Sequence, residues 1–203
     1  MAGSFYSGRG YLVASSRKSE SLELIANTGL VAQARQVSSP NFDERPADCS
    51  PELIVIHNIS LPPCEYGGEG IDQLFTNCLN PDEHPYYAEI HGLKVSAHFL
   101  LRRDGELVQY VDIFRRAWHA GVSSYKGREQ CNDFAVGIEL EGADNIPYEP
   151  IQSRKLAELI MMLRNSVPTL ALAPLVGHSD IAPDRKTDPG PAFKWDALAA
   201  LLG

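Results

Sequence analysis

The chain has 203 residues with 18 Lys+Arg against 26 Asp+Glu, a net charge of -8, and 44% hydrophobic and 22% charged residues. That is enough chain to bury a core without disulfides or a structural metal, and the acidic balance, with no dense Lys/Arg stripe, excludes sequence-independent binding to a nucleic-acid backbone. No apolar run reaches the roughly 18–20 residues of a membrane helix and the N-terminus lacks a signal-peptide apolar core, so a soluble, cytoplasmic protein without a membrane partner is expected.

Residues 1 to about 20 are rich in Ser, Gly and Arg with isolated aromatics and no sustained period, which predicts a flexible N-terminal extension over 1–28 and a single folded domain over 29–203. Leu22, Leu24 and Ile25 suggest a weak helix stopped at Asn27-Thr28-Gly29, and Leu30, Val31 and Ala34 a second short one. Leu53-Ile54-Val55-Ile56-His57 is an unbroken apolar run ending in a histidine, the pattern of a central strand buried on both faces. Ile71, Leu74, Phe75 and Cys78 follow at helical spacing, halted by Asn80-Pro81.

Ala97 to Arg103 and Glu106 to Val111 are β-prone runs around Asp104-Gly105, which predicts a hairpin with a two-residue turn. Between Phe134 and Leu140 the side chains alternate: Val136, Ile138 and Leu140 point one way, and Ala135, Gly137 and Glu139 the other. Leu156, Leu159, Ile160 and Leu163 mark an amphipathic helix over about 151–166, stopped before Pro168. Leu175 to His178 reads as a short strand, 181–191 as an ordered loop, and Ala192 to Leu202 as a closing helix with Trp195, Leu198 and Leu202 inward. Strands alternating with helices, plus one hairpin, give an α/β class with a central mixed β-sheet flanked by helices. The four cysteines, Cys49, Cys64, Cys78 and Cys131, form no C-x-x-C pair and are read as free thiols.

No histidine motif by itself announces a metal. His57 and His178 each end a strand, however, and ligand sites in α/β sheets gather outside the carboxyl ends of such strands. Asp188, its backbone restricted by Pro189, offers a third ligand, and a His2Asp set with an open fourth position is a catalytic zinc arrangement. A strand-end histidine serves equally well as a hydrogen-bonded structural residue, and Asp188-Pro189-Gly190-Pro191 equally well as a turn. Glu139, flanked by Ala135 and Gly137, has room above it for a ligand, although a solvent-facing strand glutamate fits the same pattern. Lys186 is placed to stabilise an oxyanion near a metal, or is a solvated loop lysine. Trp118, beside His119, Ala120 and Gly121, suits a core plug or a groove wall. His98 is read as structural, and His84 and His91 carry no signal.

With these residues in place the chain resembles the AmpD-type N-acetyl-anhydromuramyl-L-alanine amidases, which belong with phage T7-type lysozymes and peptidoglycan recognition proteins among the zinc amidases. The likeness runs in order through Val55-Ile56-His57-Asn58, Val95-Ser96-Ala97-His98, Arg102-Arg103-Asp104-Gly105-Glu106, Trp118-His119-Ala120-Gly121, Gly137-Ile138-Glu139-Leu140-Glu141-Gly142 and Gly177-His178 with Lys186-Thr187-Asp188-Pro189-Gly190-Pro191. The resemblance implies one zinc ion per chain on His57, His178 and Asp188, Glu139 as the catalytic carboxylate and Lys186 as its assistant. It implies Asn58, Lys94 and Trp118 as substrate contacts; at Lys94 close relatives can carry arginine, whose bidentate fork lysine lacks. The implied substrate is an anhydromuramyl peptide from cytoplasmic peptidoglycan recycling, cut between the lactyl group and L-alanine, an activity that in some bacteria removes inducers of β-lactamase. No protein partner is implied.

Overall fold

The computed structural model describes residues 21–203. The part of the expected extension over 1–20 lies outside the described residues. Ten short strands are described: β1 (Arg35–Gln36), β2 (Phe42–Glu44), β3 (Leu53–Ile59), β4 (Phe99–Leu101), β5 (Leu107–Gln109), β6 (Arg115–Ala117), β7 (Ser124–Tyr125), β8 (Arg128–Glu129), β9 (Ala135–Glu141) and β10 (Leu175–Gly177). The helices are α1 (Gly70–Phe75), α2 (Pro85–Ile90), α3 (Pro150–Ser166), α4 (His178–Ile181) and α5 (Trp195–Leu202).

The main sheet runs β1-β5-β4-β9-β3-β10, parallel throughout except for the antiparallel β4–β5 pair. β3 and β9 lie at its centre, paired over their whole length from Leu53↔Ala135 to Ile59↔Glu141. Their position explains the near-continuous apolar sequence, because a central parallel strand is covered on both faces. Ile54, Ile56, Val136, Ile138 and Leu140 face the helical layer, where α3 supplies Leu156, Leu159, Ile160 and Leu163 and α5 supplies Leu198. Each such side chain, fully buried, contributes about 1.5–3 kcal/mol. The opposite face splits into two smaller clusters, one under α1 with Ile71, Leu74, Phe75, Leu100 and Val108, the other around Leu53, Val55, Ala120, Cys131 and Phe134.

α3 begins at Pro150, where a missing N–H costs nothing, and the Gln152 side chain accepts from the Glu149 N–H at 3.0 Å. The buried Gln152 amide also donates to the carbonyls of Leu101 and Glu141, both at 3.1 Å, tying the helix start to the carboxyl ends of β4 and β9. The helix ends at Ser166 because Pro168 bars the helical conformation from Val167.

Several local expectations change. The hairpin loop spans three residues, since the Arg102 N–H bonds to the Glu106 carbonyl and the Gly105 N–H to the Arg102 carbonyl, with Gly105 at φ +91°. A type I turn closed by a left-handed glycine twists with the strands, which a two-residue turn of that type would not do. The segment 22–34 forms turns and a Leu24↔Val31 bridge in place of two helices, and Leu22 and Leu24 pack against the main core. Trp195 remains 36% exposed, stacked edge-on against Phe193. α2 was not foreseen; its N-cap is His84, whose ring accepts from the Tyr86 N–H. The four cysteine sulfurs are free.

Candidate metal centre and cleft

The register of the sheet assembles the site. β3 sets His57 opposite Glu139 on β9, and Gly177↔Ile56 pairing on β10 brings His178, the first residue of α4, beside His57. Asp188 arrives on the following loop, anchored by the Ser179 N–H to its carbonyl at 3.0 Å. Gly177 makes that approach possible, since a Cβ there would lie 2.8 Å from Pro189 Cδ. The far side of the loop is held by Asn58 Nδ2, which donates to Asp144 Oδ1 at 2.8 Å and the Pro189 carbonyl at 3.2 Å, and by the Tyr148 hydroxyl on that carbonyl at 2.8 Å.

His57 Nδ1 and His178 Nδ1 are 2.9 Å apart, and Asp188 Oδ2 lies 3.1 Å from the latter and 3.3 Å from the former. A carbonyl only accepts, so the Ala120 carbonyl assigns a proton to His178 Nε2. His178 Nε2 faces the Ala120 carbonyl at 3.2 Å, and His57 Nε2 faces His119 Nδ1 at 2.9 Å. With Nε2 protonated on both rings, which is the tautomer a cation at this point requires, two Nδ1 lone pairs and a carboxylate oxygen converge. Such a cluster of acceptors fits a cation, and separations near 3 Å match the edges of a tetrahedron whose bonds are about 2.0–2.1 Å. Nitrogen and oxygen donors in this number suit zinc.

Burial pushes His57 down to about 4, so it is neutral at physiological pH as a ligand must be. Burial also pushes the Asp188 carboxyl up, but its bonds to His178 and His57 outweigh this and hold it below the usual carboxylate range. Glu139 goes the other way: burial first, then the Asp188 charge, raise it well above its ordinary value, while Lys186 opposes them. Its Oε2 is buried and has no hydrogen-bond partner.

A cleft of about 350 Å³ opens over these groups, lined by Glu139, His178, Asp188 and Lys186 on one side and by Trp118 and Asn58 among others. The structure therefore gathers His57, His178, Asp188, Glu139 and Lys186 in one place, with Trp118, whose Nε1 donates to Asp43 Oδ1 at 3.2 Å, in the wall. Lys94 is exposed and does not line the cleft, although its neighbours Leu93 and Val95 do. The space expected above Gly137 is not open groove. The His119 ring fills it, so close that a Cβ on Gly137 would lie 2.5 Å from His119 Cγ.

His119 was not singled out from sequence, nor was Asn132, whose Oδ1 accepts from the backbone N–H groups of His119 and Ala120 at 3.1 and 2.8 Å. Arg45 is a third unforeseen residue. Half-buried, it donates to the carbonyls of Asn132, Asp133, Ile113 and Ala135 and contacts His98 Nε2. Each acts through partners far away in the chain, and nothing in local spacing signals that. His98 is structural, as expected: it accepts at Nδ1 from the Gly137 N–H at 3.0 Å.

Residues 47–191 match the N-acetylmuramoyl-L-alanine amidase family. The 1,6-anhydro-N-acetylmuramyl-L-alanine amidase AmpD of Salmonella typhimurium (strain SL1344) is 55% identical over 179 residues, 88% of this chain and 95% of the relative. A selenomethionine crystal structure of AmpD superposes with a TM-score of 0.85 at 54% identity, over 89% of this chain and all of that one (100%). AMPDH3 from Pseudomonas aeruginosa, solved in complex with anhydromuramic pentapeptide, matches with a TM-score of 0.53 at 26% identity, over 74% of this chain and 59% of that one.

Proposed function

The chain belongs to the N-acetylmuramoyl-L-alanine amidase family, and on that footing we propose that it hydrolyses the amide between the lactyl group of 1,6-anhydro-N-acetylmuramic acid and the L-alanine of the stem peptide, using one zinc ion. The observation that carries the zinc is the convergence of His57 Nδ1, His178 Nδ1 and Asp188 Oδ2. The choice of the anhydro substrate is supported by the 55% identity to AmpD across nearly the whole of that relative.

When bound, zinc supplies a Lewis acid that brings the pKa of water towards about 7 and polarises a carbonyl. The chain's own residues perform the proton transfers. Glu139, which lines the cleft and has an unpartnered Oε2 and a raised proton affinity, takes a proton from the attacking water and delivers it to the alanine nitrogen as the C–N bond breaks. Water thus adds to the lactyl carbon, leaving a lactyl carboxylate and a free L-alanine amine. Lys186, the cation beside Glu139, stabilises the negative oxygen of the tetrahedral intermediate. Trp118 and Asn58 form walls for sugar and peptide, and Lys94 meets a stem-peptide carboxylate at the rim. By its likeness to AmpD, the reaction serves cytoplasmic recycling of cell-wall fragments.

The test is mass-spectrometric detection of products from anhydromuramyl tripeptide and from intact muramyl tripeptide, with native, chelated and zinc-restored protein. Peptide release from the anhydro sugar that stops on chelation and returns with zinc supports the reading. Undiminished release after complete metal removal refutes the zinc centre, and faster cleavage of the intact sugar refutes the substrate.

A further inference from the structure

Both candidate ligand histidines are held by one two-residue strap, whose His119 also lines the cleft. His119 Nδ1 sits 2.9 Å from His57 Nε2, and the carbonyl of the next residue, Ala120, lies 3.2 Å from His178 Nε2. The strap belongs to neither ligand strand, so its placement depends on what holds its own backbone. The N–H groups of His119 and Ala120 both bond to a single atom, Asn132 Oδ1, at 3.1 and 2.8 Å. Asn132 is itself fixed, because its carbonyl accepts from Arg45 Nη1 at 3.1 Å. On the open side, Arg185 Nη2 donates to the Ala120 carbonyl at 2.6 Å, polarising the acceptor that His178 uses.

We infer that Asn132 is a positioning residue for the metal centre, acting through the His119–Ala120 strap to orient both ligand imidazoles. The inference rests on the zinc reading above. A carboxamide oxygen suits the task because it has two lone pairs and takes both N–H groups at once. The strap then sets one polar atom against each ligand: a ring nitrogen against His57 and a carbonyl against His178. Gly137 completes the device by leaving space for the ring, 2.5 Å from where a Cβ would stand.

Groups behind metal-bound histidines typically govern metal affinity by about 10–100-fold. Zinc dissociation constants are therefore to be measured by competition with a chromogenic chelator, together with visible spectra of the cobalt-substituted protein, for wild type, Asn132→Ala, Asn132→Asp and His119→Phe. Asn132→Ala is expected to weaken zinc binding about 10–100-fold and alter the cobalt bands. Asn132→Asp, whose carboxylate oxygen also accepts two N–H groups, restores both. His119→Phe fills the same space without the ring nitrogen and is expected to weaken zinc at least about 10-fold through His57 alone, which decides the matter if Asn132→Ala does not fold. A merely structural asparagine would lower the melting temperature of the metal-free protein and leave the affinity and spectrum of the folded variant unchanged; that result, or wild-type affinity in His119→Phe, overturns the inference. Failure of the wild type itself to bind zinc would instead overturn the reading beneath it.

Discussion

Replacing Gly137 by alanine tests the tight layering of β9 under His119. An ideal Cβ at that position falls 2.5 Å from His119 Cγ, 2.6 Å from Nδ1 and 2.8 Å from Cδ2. Ordinary carbon contacts are about 3.5–4.0 Å, so the ring has to withdraw by about 1 Å. Neither side yields easily: the Gly137 N–H is bonded to His98 at 3.0 Å and its carbonyl to the His98 N–H at 3.1 Å, while the backbone of His119 hangs from Asn132. Any such retreat displaces the ring whose Nδ1 stands 2.9 Å from His57 Nε2 and so disturbs that bond. Overpacking of this kind costs about 1–3 kcal/mol, offset by about 0.4–1 kcal/mol from the smaller entropy of the unfolded alanine chain. The net loss of about 1–2 kcal/mol corresponds to a fall of roughly 2–8 °C in melting temperature for a domain of this size. Urea unfolding of the chelated protein and zinc competition are the assays. A Gly137→Ala protein as stable as wild type and equally tight for zinc would refute the account of the strap.

Glu139→Gln preserves the shape of the site and should keep zinc while lowering turnover by about 10²–10⁴-fold; near-normal turnover with metal bound would remove Glu139 from proton transfer. Glu141 is 2% exposed and accepts from the Gly67 N–H at 2.7 Å, the Arg103 N–H at 3.1 Å and Arg102 Nη1 at 3.3 Å. Glu141→Ala is expected to cost about 3 kcal/mol, the low end for breaking a buried pair, because Asp72 and Glu106 still face Arg102; its zinc affinity should not change, and a loss below 1 kcal/mol would contradict the assignment. Burial and the Arg45 charge push His98 down to about 3, against about 6.5 in an unfolded chain. Below pH 6.5 the unfolded state takes up a proton that the folded state refuses, so stability falls with decreasing pH by about 1.4 kcal/mol per unit until the folded value is reached. In chelated protein, urea midpoints between pH 7 and 5 should therefore drop less steeply for His98→Asn than for wild type, and equal slopes would disprove the assignment.

The candidate ligand set was legible because strand ends are. The apolar run closing on His57, the short strand before His178 and the proline after Asp188 each leave a local mark, and Glu139 stands out on a strand face of small residues. The same local reasoning misjudged 22–34, where Leu22 and Leu24 are spaced for a helix but fold into turns against the main core. It also took the small residues around Glu139 as an empty groove floor, when Gly137 is small because His119 lies on it.

By itself the sequence determined the α/β class, the central strands, the long amphipathic helix and the identity of the metal-ligand candidates, since hydrophobic period and chain-breaking residues act over a few neighbours. Only the tertiary structure decided which lone pairs meet. The 2.9 Å approach of His57 to His178 spans 121 residues and that of His57 to His119 spans 62. Such contacts are fixed by sheet register and by the layers packed above it, where a shift of one residue turns every side chain to the opposite face. Proton placement at the centre is decided there too, because burial and converging partners set it, and both belong to the folded chain alone.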